Sequence, residues 1–154
     1  MLTIPFKKLE HGVDLPLPQL GSPLSAGLDI TAAIKEATIL KPGERALIPC
    51  GFSVALPEGF EMQIRPRSGL AYKHGVTVLN SPGTVDADYR GEIKVLVINH
   101  GHEAFTIERG MRIAQIVIAQ HETIEWTVVA NLDEEGHRGG VVGSTGLKAP
   151  LSSK

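Results

Sequence analysis

Residues 75–99 read Gly-Val-Thr-Val-Leu-Asn-Ser-Pro-Gly-Thr-Val-Asp-Ala-Asp-Tyr-Arg-Gly-Glu-Ile-Lys-Val-Leu-Val-Ile-Asn, and this segment decides the fold. Two runs rich in β-branched residues, 75–79 and 92–99, flank a polar stretch that contains the turn signal Pro82-Gly83. The pattern predicts two strands joined by a hairpin-like excursion, with polar chemistry at its tip.

Asp86 directly follows Val85, so we expect its carboxylate at the edge of a strand rather than in free loop. A half-shielded carboxylate in that position can orient a water molecule and take its proton. Asp86 and Asp88 can equally be turn residues that bond their own backbone. These residues alone leave both interpretations open.

Composition indicates one ordinary globular domain. The chain has 154 residues, of which 42% are hydrophobic and 21% charged. The net charge of −2 gives no basic surface, so we expect no nucleic-acid partner. No apolar run approaches 18 residues and no signal-peptide pattern opens the sequence, so we expect no membrane partner. The single cysteine, Cys50, excludes an internal disulfide and favours a cytoplasmic location, with the thiol as inert packing.

The 17 glycines and 10 prolines interrupt short runs of Val, Ile and Thr at regular spacing, which predicts an all-β sandwich or barrel. The run at residues 104–107 is expected to pair back on the strand before it, and residues 12–23 to form a loop. The expected strands are 3–7, 26–33, 37–40, 44–49, 51–56, 60–65, 75–79, 92–99, 104–107, 112–119 and 125–129.

One short helix is expected over residues 67–74, with Ser68 as its N-cap and Gly75 following its last turn. The first N–H groups of this helix, including that of Gly69, would lie beside the Ser68 hydroxyl and the Arg67 guanidinium. Such a group of donors can bind an anion. An ordinary capped helix with a surface arginine would look the same in sequence.

Two polar residues lie inside apolar strands. Asp29, between Leu28 and Ile30, must face solvent or meet a cation. Gln115 lies in the most apolar predicted strand, and alternation places it on the same face as Ile113. A buried amide needs partners, which are either neighbouring backbone groups or a ligand.

The sequence changes character near its end, so we predict a domain over residues 1–132 and a flexible glycine-rich tail over residues 133–154. Backbone N–H groups of such a tail can wrap phosphates, although many glycine-rich ends are only flexible. The residues of interest in the tail are Arg138, Gly143, Ser144 and Thr145.

Several other site types are excluded by spacing. No His, Cys, Asp or Glu pattern resembles a zinc site built by the protein, and no Gly-x-Ser-x-Gly or P-loop motif occurs. Four scattered histidines receive no role; they are His11, His100, His102 and His121.

Five segments taken together resemble the ordered motifs of the trimeric deoxyuridine triphosphatases. They are residues 26–33 (Ala-Gly-Leu-Asp-Ile-Thr-Ala-Ala), 66–71 (Pro-Arg-Ser-Gly-Leu-Ala), 83–91 (Gly-Thr-Val-Asp-Ala-Asp-Tyr-Arg-Gly), 110–117 (Gly-Met-Arg-Ile-Ala-Gln-Ile-Val) and 143–146 (Gly-Ser-Thr-Gly). The resemblance implies a jelly-roll-like all-β subunit in a homotrimer with three sites at subunit interfaces. It also implies hydrolysis of dUTP to dUMP and pyrophosphate with Mg²⁺.

The resemblance also implies roles for individual residues. Asp86 would be the base that orients the attacking water, Tyr89 would pack under the deoxyribose, and Asn80 would read the uracil edge. Asp29 would support the hydrated metal through water. The phosphates would be held by Arg67, Ser68, Gly69 and Gln115, and the tail with Arg138, Gly143, Ser144 and Thr145 would close as a lid.

The tail departs from the family pattern. The family usually has Arg-Gly-x-Gly-Gly-Phe before Gly-Ser-Thr-Gly, whereas residues 138–142 read Arg-Gly-Gly-Val-Val, one residue shorter. Val142 therefore stands where an aromatic residue would stack on the uracil.

Two competing functions remain on the same fold. A dCTP deaminase-like enzyme would need a glutamate ten positions after the aspartate, where this chain has Leu96. A non-catalytic jelly-roll binding trimer would be expected to have a damaged hairpin, whereas Asp86 and Tyr89 are both present.

Overall fold

The structure, a computed structural model, describes residues 2–132, and these residues form an all-β fold with one short α-helix, as the sequence predicts. A single 3₁₀ turn covers Glu10–Gly12, and the helix α1 covers Ser68–His74. The strands are β1 Phe6–Lys8, β2 Gln19–Leu20, β3 Leu28–Thr31, β4 Thr38–Leu40, β5 Arg45–Pro49, β6 Phe52–Val54, β7 Phe60–Arg65, β8 Val76–Val78, β9 Gly83–Val85, β10 Lys94–Asn99, β11 Phe105–Ile107 and β12 Arg112–Gln120.

The strands pair antiparallel throughout the described residues and form a jelly-roll-like sandwich. A five-stranded sheet has the order β2-β3-β12-β7-β9, and a three-stranded sheet has the order β5-β10-β8. Two smaller sheets pair β1 with β6 and β4 with β11. One hydrophobic cluster draws buried side chains from both larger sheets, for example Ile30 and Ile116 from one and Ile48 and Val97 from the other.

The excursion predicted at residues 80–91 is present, and it carries the chain from one sheet to the other. β8 and β10 are antiparallel neighbours, with Val78 opposite Val97. The chain between them leaves this sheet and forms β9, which pairs with β7 in the five-stranded sheet. The polar tip therefore follows a strand that is anchored by the buried residues Gly83 and Val85.

The predicted pairing of residues 104–107 with the preceding strand is wrong. β11 pairs with β4 instead, with Thr106 opposite Ile39. Both edges of β10 are already used, because β5 pairs along one edge and β8 along the other. No edge remains for β11, so the chain crosses to β4.

The predicted face of Gln115 is also wrong with respect to Ile113. The register of β12 against β3 shifts between Arg112 and Ala114, which marks a β-bulge. Ile113 and Ala114 are both buried, so the bulge turns two consecutive side chains into the core. Alternation restarts after the bulge and places Gln115 on the face away from Ala114 and Ile116.

Helix α1 begins one residue earlier than the predicted N-cap at Ser68 implies. Arg67, whose backbone is extended, occupies the N-cap position without a side-chain cap bond, so Ser68 is the first helical residue and not the cap. The C-terminal end follows the prediction, because Gly75 adopts a left-handed conformation with φ of 67°.

The apolar strands β10 and β12 are mostly covered within the chain itself. Val95, Val97 and Ile98 are buried, and so are Ala114 and Ile116.

The chain divides into a first compact unit that ends at Thr123 and a second unit that begins at Ile124. The strand predicted over residues 125–129 is absent, and residues 124–132 are exposed without regular structure. Residues 124–132 take part in none of the strand pairings within residues 2–132. The predicted boundary between residues 132 and 133 stays a prediction.

Two further sequence expectations concern Cys50 and membranes. Burial, with the Glu92 charge as a smaller contribution, raises the pKa of the Cys50 thiol to about 12, so the thiol is neutral and packed at neutral pH. No helix within residues 2–132 has the length and apolar character needed to cross a membrane.

Asn99, at the end of β10, is a structural residue that the sequence did not single out. Its side chain is fully buried and fully bonded: Nδ2 donates to the carbonyls of Leu40 and Glu103, each at 2.8 Å, and Oδ1 accepts from the N–H of Gly101 at 2.8 Å. The amide thereby joins β10 to β4 and to the loop before β11.

We predict that Asn99→Ala lowers the free energy of unfolding by about 3 kcal/mol, because it leaves buried backbone groups without partners. Chemical denaturation at fixed protein concentration measures the effect. Asn131→Ala, at an exposed position, is the matched control and should stay within about 0.5 kcal/mol of the parent. Equal stability of the two variants would show that the network adds nothing.

Candidate active site

A row of polar residues crosses three strands of the five-stranded sheet. Asp29 on β3 lies opposite Gln115 on β12, and Gln115 lies opposite Arg65 on β7. Asp29, Arg65 and Gln115 line one cavity of about 320 Å³, together with Gly27. The strand register thus brings two of the predicted site residues, Asp29 and Gln115, side by side.

Asp29 meets cations rather than solvent. Its side chain is only 17% exposed; Oδ1 accepts from Arg67 Nε at 2.9 Å, and Oδ2 lies 3.3 Å from Arg112 Nη1. Arg67 also donates through Nη1 to the Arg112 carbonyl at 3.1 Å. The carboxylate therefore holds the Arg67 guanidinium in a fixed place just before α1.

Arg112 received no role from the sequence, although the structure places it in this cluster. The available signal was its position at the start of the strand that carries Gln115. Pairing of that strand with the strand of Asp29 could not be read from either segment alone, and the bulge after Arg112 changes the register further.

Gln115 connects the sheet to the turn before the helix. Its Nε2 donates to the Pro66 carbonyl at 2.9 Å, which is the backbone partner that the sequence left as one of two possibilities. A side chain on Gly27 would collide with the Gln115 amide, so a larger residue there would displace the amide from its present position.

Ser68 and Gly69 are both exposed in the first turn of α1. A Cβ added to Gly69 would meet nothing within 4 Å, so the approach to this helix start is open. Arg67, Ser68 and Gly69 therefore present donors beside the row of Asp29 and Gln115.

The hairpin residues gather in a separate cavity. Asn80, Asp86 and Tyr89 line a cavity of about 260 Å³, whose other lining residues include Thr84 and Glu92. Asn80 places its side-chain nitrogen near Gly83, 3.2 Å from where a Cβ would stand. Asp86 directly follows the end of β9, as its place after Val85 predicts, but it is exposed rather than half-shielded.

Local contacts fix the tyrosine in this cavity. The Tyr89 hydroxyl donates to the Glu92 carbonyl at 3.0 Å, and the backbone N–H of Tyr89 donates to the Asp86 carbonyl at 3.2 Å. The ring lies across Gly91, where any Cβ would collide with it. Tyr89 remains 45% exposed, so the ring is available to a ligand.

The two groups of residues lie apart within one chain. β9 pairs with β7 so that Val85 is opposite Met62, which places Asp86 beside the Glu61 end of β7, whereas Arg65 is at the other end. Four residues of strand span roughly 13 Å, and three strand spacings to β3 add about 14 Å sideways, so Asp86 and Asp29 are about 20 Å apart. One chain cannot bring both to the same phosphorus atom.

The described residues contain no group of three or more His, Cys, Asp or Glu side chains arranged to hold a metal ion. Both oxygens of Asp29 already face arginines. A cation in this region would therefore have to take most of its ligands from a bound ligand and from water.

The predicted tail residues lie outside the described part of the chain. They are Arg138, Gly143, Ser144 and Thr145, together with Val142.

Comparison with known proteins extends these observations. The family model for dUTPase matches residues 14–146. A deoxyuridine 5'-triphosphate nucleotidohydrolase of Rhizobium rhizogenes is 53% identical over 147 residues, covering 94% of each chain. The protein of the same name from Rickettsia prowazekii is also 53% identical over 147 residues, covering 96% of this chain and 99% of that one.

A solved structure shares the fold. A mutant dUTPase of Staphylococcus bacteriophage 80alpha, determined with dUpNHpp, superposes with a TM-score of 0.84 at 26% identity and covers 96% of this chain and 100% of its own. Since the family model spans most of the sequence and the relatives are more than half identical over nearly their whole length, the chain belongs to the dUTPase family.

Proposed function

We propose that this protein hydrolyses dUTP to dUMP and pyrophosphate, with Mg²⁺ bound to the nucleotide. The observation that carries the proposal is the cavity that groups Asn80, Asp86 and Tyr89 in a chain of the dUTPase family. Its relatives from Rhizobium rhizogenes and Rickettsia prowazekii are named for the same activity.

The hairpin cavity supplies the nucleoside site and the base. The Asp86 carboxylate makes no side-chain hydrogen bond among residues 2–132, so it is free to orient a water and take its proton as the water attacks the α-phosphorus. The fixed ring of Tyr89 gives the deoxyribose a flat apolar support, which leaves little space for a ribose 2′-hydroxyl. The amide of Asn80 can pair with the uracil edge.

The second cluster supplies the phosphate site. Attack on a polyanion needs positive charge and N–H donors around the developing charge. The Asp29 carboxylate holds Arg67 in position, and Ser68, Gly69 and Gln115 lie next to it. Mg²⁺, when bound, would neutralise phosphate oxygens while keeping much of its water, with Asp29 acting only through water.

The separation of the two clusters supports a homotrimer whose sites lie at subunit interfaces. One chain places Asp86 about 20 Å from Asp29, so the hairpin of one subunit would complete the phosphate cluster of another. The second unit adds support, because the alternate residues Ile124, Trp126 and Val128 are 63%, 84% and 95% exposed. Alternating apolar residues without a sheet are suited to pairing with another chain.

The tail and the location belong to the same proposal. Arg138, Gly143, Ser144 and Thr145 would close over the phosphates and exclude water from the reacting centre. The single buried cysteine supports a cytoplasmic location.

We predict that Asp86→Asn lowers kcat on dUTP by about 10²–10⁴-fold while nucleotide binding is kept, since only the base is lost. Pyrophosphate release and equilibrium binding measure the two effects. Asp88→Asn, two residues along the same exposed loop, is the matched control and should keep most of the turnover. If the two variants behave alike, Asp86 is only a turn residue.

The same assay tests the substrate. The parent protein should turn over dUTP and largely ignore dTTP, dCTP and UTP. Comparable turnover of dTTP would contradict the role of Asn80 and the hairpin in reading uracil.

We predict that two inactive variants, Asp86→Asn and Arg67→Ala, regain activity when their subunits are mixed. If each site takes the hairpin from one chain and the phosphate cluster from another, random mixing in equal amounts leaves roughly a quarter of the sites intact. Co-refolding followed by pyrophosphate release measures this fraction, and light scattering measures the mass of the assembly.

The control is each variant refolded alone, which must stay inactive. No recovery in mixtures whose subunits have demonstrably exchanged would show that each site lies within one chain. A monomeric mass at micromolar concentration would contradict the homotrimer itself.

We predict that ending the chain after residue 133 reduces turnover by about 10²-fold, because donors to the phosphates are lost. Ending it after residue 147 keeps the Gly-Ser-Thr-Gly segment and is the matched control. Val142→Phe should tighten nucleotide binding by about 0.5–1.5 kcal/mol if a stacked pair forms. Full turnover by the shorter protein would show that the tail is only a chain end.

A further inference from the structure

Glu92 joins the hairpin cavity to the N-terminal part of the chain. Its carboxylate is only 16% exposed, and Oε1 accepts from the Gly51 N–H at 3.0 Å and from His11 Nε2 at 2.6 Å. Its backbone carbonyl accepts the Tyr89 hydroxyl at 3.0 Å. Glu92 therefore accepts a hydrogen bond from His11 through its side chain and one from the Tyr89 hydroxyl through its backbone carbonyl.

The turn that carries His11 is itself firmly attached. The Leu9 N–H donates to the Gly51 carbonyl at 2.9 Å, and Gly12 lies so close to Gly51 that a Cβ would collide with its backbone. Arg109 donates to the His11 carbonyl at 2.8 Å and to the Asp14 carboxylate at 2.6 Å. These contacts therefore hold in place the backbone that carries the His11 imidazole.

The Gly51 segment is tied to the strand that follows the hairpin. The backbone N–H of Cys50 donates to the Ile93 carbonyl at 3.0 Å, and the backbone N–H of Ile93 donates to the Phe52 carbonyl at 2.8 Å. Glu92 therefore lies where three segments meet, namely residues 9–12, 50–52 and 89–93.

Apart from the Glu92 carboxylate, loop 86–92, which carries Tyr89, makes few hydrogen bonds to the other residues of 2–132. Its remaining hydrogen bonds are local, such as Arg90 Nη1 to the Ala87 carbonyl at 2.6 Å. Within residues 2–132, the side chain of Glu92 is the one side chain of this loop that hydrogen-bonds outside it. Without the two bonds of the Glu92 carboxylate, the hydrogen bonds made by the side chains of this loop would all be local.

We propose that His11 and Glu92 are positioning residues for Tyr89, and that they set the discrimination between a deoxyribose and a ribose nucleotide. The inference rests on the proposed function and deepens it. A ring rejects one added hydroxyl only if it cannot yield, since productive geometry must be held within about 0.5 Å. Glu92 lines the hairpin cavity, but its carboxylate is bonded to His11 and to the Gly51 N–H, and His11 is not a lining residue of that cavity.

The test compares His11→Ala, His11→Gln and the parent protein. In nucleotide-free protein, His11→Ala should accelerate amide hydrogen exchange within residues 86–92. With nucleotide, it should raise KM for dUTP more than it lowers kcat. It should also lower the ratio of kcat/KM for dUTP over UTP by about threefold to tenfold, the range expected for the net loss of one ordinary intramolecular hydrogen bond. His11→Gln keeps a donor toward Glu92 and should restore most of the ratio.

Two further variants keep the test decisive. His121→Ala is the matched control, because that imidazole is exposed and its one side-chain hydrogen bond within residues 2–132 is to the Glu122 carbonyl, at 3.3 Å. Glu92→Gln retains the size of the side chain and an acceptor for Gly51 but weakens the bond to His11. If His11→Ala does not fold, Glu92→Gln should still show a smaller change of the same sign in both measurements.

Each negative result has a distinct meaning. Unchanged exchange within residues 86–92 overturns the positioning role. Faster exchange with an unchanged dUTP to UTP ratio overturns the link to selectivity and leaves a purely structural bond. Absence of dUTP hydrolysis by the parent protein overturns the proposed function and with it the selectivity claim, whereas the exchange measurement still decides whether His11 and Glu92 position Tyr89.

Discussion

The pairing of β10 with both β5 and β8 is the constraint on which the rest of the structure depends. Because both edges of β10 are taken, the chain between β8 and β10 cannot pair with β10, and it forms β9 on the five-stranded sheet instead. The polar tip that follows β9 is thereby fixed between two sheets rather than suspended at the end of an open hairpin. The same constraint sends β11 to β4.

Charge balance organises the other cluster. A carboxylate inside a strand is costly unless it is paired, and Asp29 is paired with two arginines that come from distant parts of the chain. The pair is worth little as a source of stability, because desolvation offsets much of the attraction. Its consequence is geometric: Arg67 is held at the start of α1, where its charge would meet a phosphate.

Local patterns in the sequence predicted more than long-range ones. Alternation gave the bounds of β7, turn residues gave the end of α1 at Gly75, and the position after Val85 gave the exposed edge where Asp86 lies. Pairing partners could not be read in this way, since they depend on which strand edges remain free. The bulge before Ala114, the partnership of Arg112 with Asp29 and the burial of Asn99 all follow from such pairings. His11 was passed over for the same reason, because its partner Glu92 is 81 residues away.

The candidate site is incomplete in one chain for a reason that lies in the register. Asp86 follows β9 at one end of β7, and the row of Asp29, Gln115 and Arg65 crosses at the other end. No rotamer change can close a gap of about 20 Å, and a shift of β9 along β7 by one residue would turn Val85 out of the core. The strand register therefore keeps the two clusters apart within one chain. In the proposed assembly, the hairpin of one subunit would meet the phosphate cluster of another, and each cluster would already be held by the five-stranded sheet of its own subunit before any nucleotide binds.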